Sequence, residues 1–365
     1  MSRLLERLNR LIATEYSERK RALLKAERAT YLSRIGKFSE AKSAIEELRK
    51  NYGDGHDGRV LVRIMLAEGV LQIYESLRPE AVDRFKRAEF IANLIGDEDA
   101  IAVALAWKAH VEFETSNFDS MFESIAAALE VAKPDNHQAL TRTSMVLCDV
   151  FTFCGNSEQS QRWFLKSRDH ALIDGDQASI DALLYNRAAF RLARIRAQYC
   201  FGILDKEELQ TCKMEISSAR NYQTIIDIHA FLDFITLCEA RFHVISGNFD
   251  LAIEKYKSLA GSGPFASYNY SNEYTSLELC YCLLKLGRTQ EAIDSYNIGS
   301  ALPIDGLDID EQLFARWILW QITLDNAKIG NSEHAEHSFS QAKDKYEELI
   351  HRLGDKSKLF LLPAT

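Results

Sequence analysis

Proline is nearly absent, with 5 in 365 residues, where a typical chain has roughly 5%. Proline lacks a backbone donor and clashes inside a helix, so a chain that avoids it can be helical almost throughout. No apolar run approaches the roughly 20 residues of a membrane span. The start, Met1-Ser2-Arg3-Leu4-Leu5-Glu6, alternates charge with leucine and lacks the apolar stretch of a signal peptide. The seven cysteines, an odd number, include no Cys-x-x-Cys pair. That usage fits a reducing compartment better than a disulfide framework, and a cytoplasmic location is expected. Gly261-Ser-Gly-Pro264 is not followed by Gly-Lys-Ser/Thr, and no Gly-x-Ser-x-Gly elbow occurs. An enzyme and a bound cofactor are therefore not expected.

Basic surface is also scarce. The net charge is −9, which argues against a general nucleic-acid coat. The charge is uneven, however, at +6 over residues 1–50 and −15 over the rest.

What the chain does contain is a repeat. Gly36-Lys-Phe38-Ser-Glu-Ala41, Gly247-Asn-Phe249-Asp-Leu-Ala252, Gly287-Arg-Thr289-Gln-Glu-Ala292 and Gly330-Asn-Ser332-Glu-His-Ala335 share one pattern. Ser116–Met121 and Gly155–Ser160 are degenerate copies. Taking the last residue of each copy as an anchor gives positions 41, 81, 121, 160, 212, 252, 292 and 335. Their spacings are 40, 40, 39, 52, 40, 40 and 43.

Residues that did not define the anchors obey the same spacing. Four residues on lie Ile45, Phe85, Ile125, Phe164, Ile216, Tyr256, Tyr296 and Phe339. Seven on lie Leu48, Ala88, Ala128, Ser167, Ala219, Leu259, Gly299 and Ala342. This is the i, i+4, i+7 stripe of a helix facing a core. Twelve before each anchor the residue is small: Ala29, Gly69, Ala109, Cys148, Cys200, Ala240, Cys280 and Thr323. Two helices per repeat, closely approaching at those small residues, account for both columns.

The pattern resembles the tetratricopeptide repeat, whose helical hairpin carries Gly-x-Phe/Tyr-x-x-Ala at its turn, an aromatic four residues on and Ala three beyond. The likeness covers roughly residues 17–352. It departs in its period of about 40 rather than 34, in lacking a closing proline, and in lacking the tryptophan near each repeat start. Longer-period members occur in bacterial peptide-sensing regulators and in sensor modules of signalling proteins. The resemblance implies an all-α, right-handed α-solenoid of about eight helix-turn-helix repeats. Residues 1–16 are expected to form a capping helix through Leu4, Leu5, Leu8, Leu11 and Ile12, and residues 353–365 a C-terminal tail.

Connectors agree with paired helices. Turn clusters lie at 96–99, 133–136 and 174–177. Asp205 followed by Glu208 reads as a capping box, Gln177–Gly202 as one unusually long helix, and 51–58, 261–270 and 301–308 as longer loops. Cysteines in the small-residue column read as core. His334 and His337 with Glu333 lack a fourth metal ligand. Asp305, Asp308 and Asp310 lack the glycine and terminal glutamate of a calcium loop, leaving turn and cap roles.

The first helix of each tetratricopeptide repeat lines the concave surface. Eighteen residues before each anchor lie Leu23, Arg63, Val103, Arg142, Arg194, Phe234, Tyr274 and Trp317. Eleven before lie Thr30, Val70, His110, Asp149, Phe201, Arg241, Tyr281 and Leu324. Arg187, Arg191 and Arg194 continue as an i, i+4, i+7 basic stripe. The candidate groove is therefore Arg63, His110, Arg142, Asp149, Arg187, Arg191, Arg194 and Arg241, with Tyr274, Tyr281, Trp317 and Trp320 in the later repeats. Arginine beside aromatics is the composition of interface hot spots, and its fork suits carboxylates and phosphates. Arginine pairing between repeats and buried tryptophans are the competing assignment; residues 310–329 are apolar nearly all round.

The expected function is a non-enzymatic adaptor or scaffold that binds a protein or peptide, an acidic one among the options, in the groove. The rival is a ligand- or peptide-sensing regulator of a partner enzyme or transcription factor. A wide aromatic groove favours the first and a closed charged pocket the second. Nucleic acid through the basic N-terminal helices is the weakest reading. No membrane partner is expected, and the exposed solenoid ends leave homo-oligomerisation open.

Overall fold

The computed structural model describes residues 2–76, 79–226, 228, 231–259, 272–325 and 331–363. All regular structure in these residues is helical. Helix α1 is Arg3–Thr14. Eight hairpins follow: α2 (Glu18–Arg34) with α3 (Phe38–Tyr52), α4 (Gly58–Ser76) with α5 (Ala81–Ile95), α6 (Glu98–Glu114) with α7 (Phe118–Val131), and α8 (His137–Phe153) with α9 (Ser157–Asp174). Next come α10 (Gln177–Cys200) with α11 (Lys206–Ile226), α12 (Leu232–Ile245) with α13 (Phe249–Leu259), α14 (Asn272–Lys285) with α15 (Thr289–Gly299), and α16 (Ile309–Asp325) with α17 (Ser332–Ser357).

The repeat columns meet inside each hairpin. All eight residues twelve before the anchors are buried, as are all eight residues seven after them. Gly69 shows why the column is small: a Cβ there would lie 2.6 Å from the ring of Phe85. The side chains of Asp97, Asn136, Asn156 and Asp176 accept hydrogen bonds from the first turns of α6, α8, α9 and α10, satisfying donors that a helix cannot satisfy itself. Asp205 does the same for α11. The other half of the expected capping box is replaced, because Glu208 is drawn to arginines of α10.

Two expectations need adjusting. Helix α17 continues to Ser357, so the tail starts later than residue 353. The loop expected at 301–308 contains a short 3-10 turn, Ile304–Gly306. The loop expected at 261–270 lies outside the described residues. No described helix is long and apolar enough to cross a membrane.

The superhelix closes on itself. At the N-terminal end, Arg34 of α2 makes a bidentate pair with Asp176, 2.7 and 3.0 Å, at the start of α10. Arg7 of α1 reaches Asp174 at 2.6 Å. At the C-terminal end, α16 packs on α10 and α17 on α7 and α8. The tail then runs across α9. Gln159 donates to the Leu362 carbonyl at 3.0 Å and accepts from its N–H at 2.8 Å, while the Trp163 indole donates to the Phe360 carbonyl at 3.0 Å. Phe360 stacks on Phe122 of α7.

Candidate functional site: an enclosed channel

Because both ends fold back, the concave surface is a half-open channel whose chambers remain in contact with solvent. Two main chambers, about 390 and 540 Å³, flank a smaller space of about 110 Å³, here the link, that shares lining residues with both. Arg142 lines the first chamber and the link, and His110 and Glu114 line the link and the second chamber. The first helix of the repeats supplies most of the wall. Six of the eight residues eighteen before the anchors lie on it: Leu23, Arg63, Val103, Arg142, Phe234 and Tyr274.

Arg142 is the distinctive wall residue. It is 3% exposed, its guanidinium lies 3.8 Å from the ring centroid of Trp107, and one Nη sits 3.4 Å from the Met145 sulfur. Among the described residues no carboxylate forms an ion pair with it. Burial pushes it below its usual pKa range, and the Arg34 charge adds to this against Tyr74 and Asp176. A buried cation without a counterion is costly unless something else completes it. His110 is also buried, edge-on to Trp107, and its Nδ1 has no hydrogen-bond partner. Burial and the Arg142 charge hold it well below its ordinary pKa, so it is neutral. Arg63, partly exposed on the wall, lies 3.9 Å from Asp97.

Several expected site residues are placed elsewhere. Arg187, Arg191 and Arg194 are not offered to the channel. Arg187 and Arg191 pair with Glu215 at 2.8 and 2.6 Å, and Arg194 pairs with Glu208. The extra length of α10 turns this stripe toward its own hairpin partner, α11. Asp149 is buried on the core side, accepting from Asn186 at 2.9 Å, and burial raises its pKa well above the usual carboxylate range. Tyr281 and Trp317 are core residues in edge contact at 5.3 Å. Trp320 stacks on Phe339 at 5.4 Å. All three aromatics fill the space between the last hairpins instead of facing a ligand.

Arg241 and Tyr274 belong to a buried network. Arg241 pairs with Glu311 and Glu278, Arg196 joins Glu278 at 2.8 Å, and the Tyr274 hydroxyl bonds Glu311. Two arginines here balance two glutamates, and Glu311 is held down to about 2 by those arginines against its burial. The network ties α10, α12, α14 and α16 together and forms one wall of the second chamber.

The sequence reading did not place Glu114, Trp107, Arg34 or Arg196. Asp308 appears in it only as a turn residue. Among the described residues no cluster could hold a metal ion. Thiols such as Cys148 are buried, with burial raising that group up to about 12, so they are poor nucleophiles.

No protein-family model matches the chain, and no curated protein matches it in sequence. Its fold is nevertheless found among solved structures. A Rap protein complexed with competence and sporulation factor aligns over 92% of this chain and 99% of that chain, with a TM-score of 0.59 at 13% identity. The apo form of RapI aligns over 94% and 92%, with a TM-score of 0.47 at 13% identity. The chain is thus a helical-repeat solenoid with the fold of the Rap protein.

Proposed function

We propose that this chain is a non-enzymatic, ligand-sensing regulator whose ligand, a short peptide or another molecule with an anionic group, is enclosed in the channel. The observation that carries the reading is Arg142, a buried guanidinium on the channel wall with an aromatic beneath it and, among the described residues, no carboxylate in ion-pair contact, although Glu27, Asp174 and Asp176 line the same chamber. A ligand carboxylate would complete it with paired, charge-assisted hydrogen bonds. The charged chambers and the packing of Tyr281, Trp317 and Trp320 among the last hairpins favour this sensor over a wide-groove adaptor for a folded protein. That a Rap protein of this fold was solved with competence and sporulation factor supports a fold able to receive such a ligand.

Because contacts between distant helices shape the channel, a ligand that touches α2, α6, α8 and α10 together would bias the superhelical pitch. That is a differential interaction with two states, which a switch requires. The test is to purify the protein from its native host, release bound small molecules by denaturation and identify them by mass spectrometry. A stoichiometric peptide or anion supports the reading. An empty channel together with a tightly held folded protein would overturn it in favour of the adaptor.

A further inference from the structure

The second chamber differs chemically from the first. Glu114 and Asp308 open onto it from α6 and from the turn before α16, with Glu311 in its wall. Among the described residues no lysine or arginine lines it, and the carboxylates of Glu114 and Asp308 have neither an ion pair nor a hydrogen bond. Glu311 differs, its charge already being matched by Arg196 and Arg241. A second, independent feature points the same way. His110 is 7% exposed, lines this chamber and keeps an unpartnered Nδ1. A neutral imidazole nitrogen can accept a hydrogen bond where the carboxylates supply charge.

We infer that this chamber binds an organic cation, a primary ammonium or guanidinium group, between Glu114 and Asp308 and beside His110. The inference rests on the channel being a ligand site and adds the polarity of the ligand: an anionic group toward Arg142, a cationic group toward Glu114 and Asp308. Both side chains are exposed to the solvent of the chamber; the surrounding protein still raises both groups above the usual carboxylate range, Arg142 opposing at Glu114 and the Glu114 and Glu311 charges adding at Asp308. A cation placed between them would favour their ionised forms. Two sources share this chemistry, a basic side chain of the channel peptide and a free polyamine.

The experiment uses the intact protein with isotope-labelled histidine, the His110 imidazole signal being assigned from His110→Gln. It is titrated with agmatine, spermidine, an arginine-containing peptide amide and, as a control, magnesium. The expected result is a saturable shift of the His110 signal with organic cations and not with magnesium. The Glu114→Gln/Asp308→Asn double variant, checked for native circular dichroism, should bind about tenfold or more weakly. Response to the peptide amide alone identifies the peptide source, and response to spermidine alone identifies the polyamine; both support the site. No shift at about 10 mM, an equal response to magnesium, or unchanged affinity in the double variant overturns it. Cation binding that persists when no anionic ligand is recovered would leave the chamber standing while removing the proposed function. The reverse outcome would remove the chamber alone.

Discussion

Arg241 donates two hydrogen bonds, 2.8 and 3.0 Å long, to the two carboxylate oxygens of Glu311, seventy positions further along the chain. Neither residue belongs to one hairpin with the other, so the pair joins the sixth repeat to the eighth and sets one wall of the second chamber. Its geometry fixes what a substitution should do. Arg241→Met leaves Glu311 buried beside Arg196 alone, and breaking a buried pair by removing one partner destabilises by about 3–5 kcal/mol. Denaturant unfolding of the variant checks this. A loss within the range of an exposed pair, below about 1 kcal/mol, would contradict the buried network.

Gly69 and Phe85 test the repeat register. Gly69→Ala places a methyl 2.6 Å from the Phe85 ring, an overpacking expected to destabilise by about 1–3 kcal/mol. Phe85→Ala, which empties a fully buried site, should cost about 3–5 kcal/mol. Thermal or denaturant melts of both variants that coincide with the wild type would show that the fourth and fifth helices do not meet at this column.

Asp181 gives a pH prediction. It is fully buried on α10, accepts from Gln223 at 3.1 Å, and burial pushes it up to about 7. An unfolded aspartate titrates near 3.9. Between those values the folded chain holds the proton more tightly than the unfolded chain. This group's contribution therefore favours folding most at low pH, declines as pH rises toward 7, and is constant above. Asp181→Asn removes that decline and keeps a partner for Gln223. The variant should gain on the order of 2–4 kcal/mol relative to wild type between pH 5 and pH 8. Parallel stability curves for the two proteins would contradict the assignment.

Much of this architecture is legible in the sequence because it is periodic. Ala29, Cys148 and Cys280 share a column for the same packing reason, and the offset that places Leu23, Arg63, Val103, Arg142, Phe234 and Tyr274 on the channel is one number. That offset fails in two repeats. In the fifth, the long α10 puts Ala182, Tyr185 and Asn186 on the channel and turns Arg194 away. In the eighth, the last hairpin swings back toward α10, so its first turn faces inward at Glu311 and Gln312 while Trp317 is buried. Closure of the ring has no periodic signature at all. Arg34 meets Asp176 across 142 positions, and Gln159 meets Leu362 across 203. Lone acids such as Glu114 and Asp308 sit at helix ends, where a cap or turn role is the ordinary explanation.

Tail docking is the next expectation. Trp163→Phe deletes the indole donor to the Phe360 carbonyl while keeping the ring, a change worth about 1 kcal/mol. Hydrogen exchange of residues 358–363 should accelerate while α9 keeps its protection. Uniform protection in both proteins would mean that the tail is held by Gln159 and Phe122 without this bond.

Arg142 tests the central claim most directly. Arg142→Gln removes a buried charge that has no carboxylate partner, so the ligand-free protein should keep its stability within about 1 kcal/mol or gain, the lost contact with Trp107 offsetting the relief. Affinity for the molecule released from native protein, measured by calorimetry on wild type and variant, should fall by about 30-fold or more, the worth of a charge-assisted pair. A well-folded variant with wild-type affinity would contradict the account, because the channel would then hold its ligand without the guanidinium that defines it.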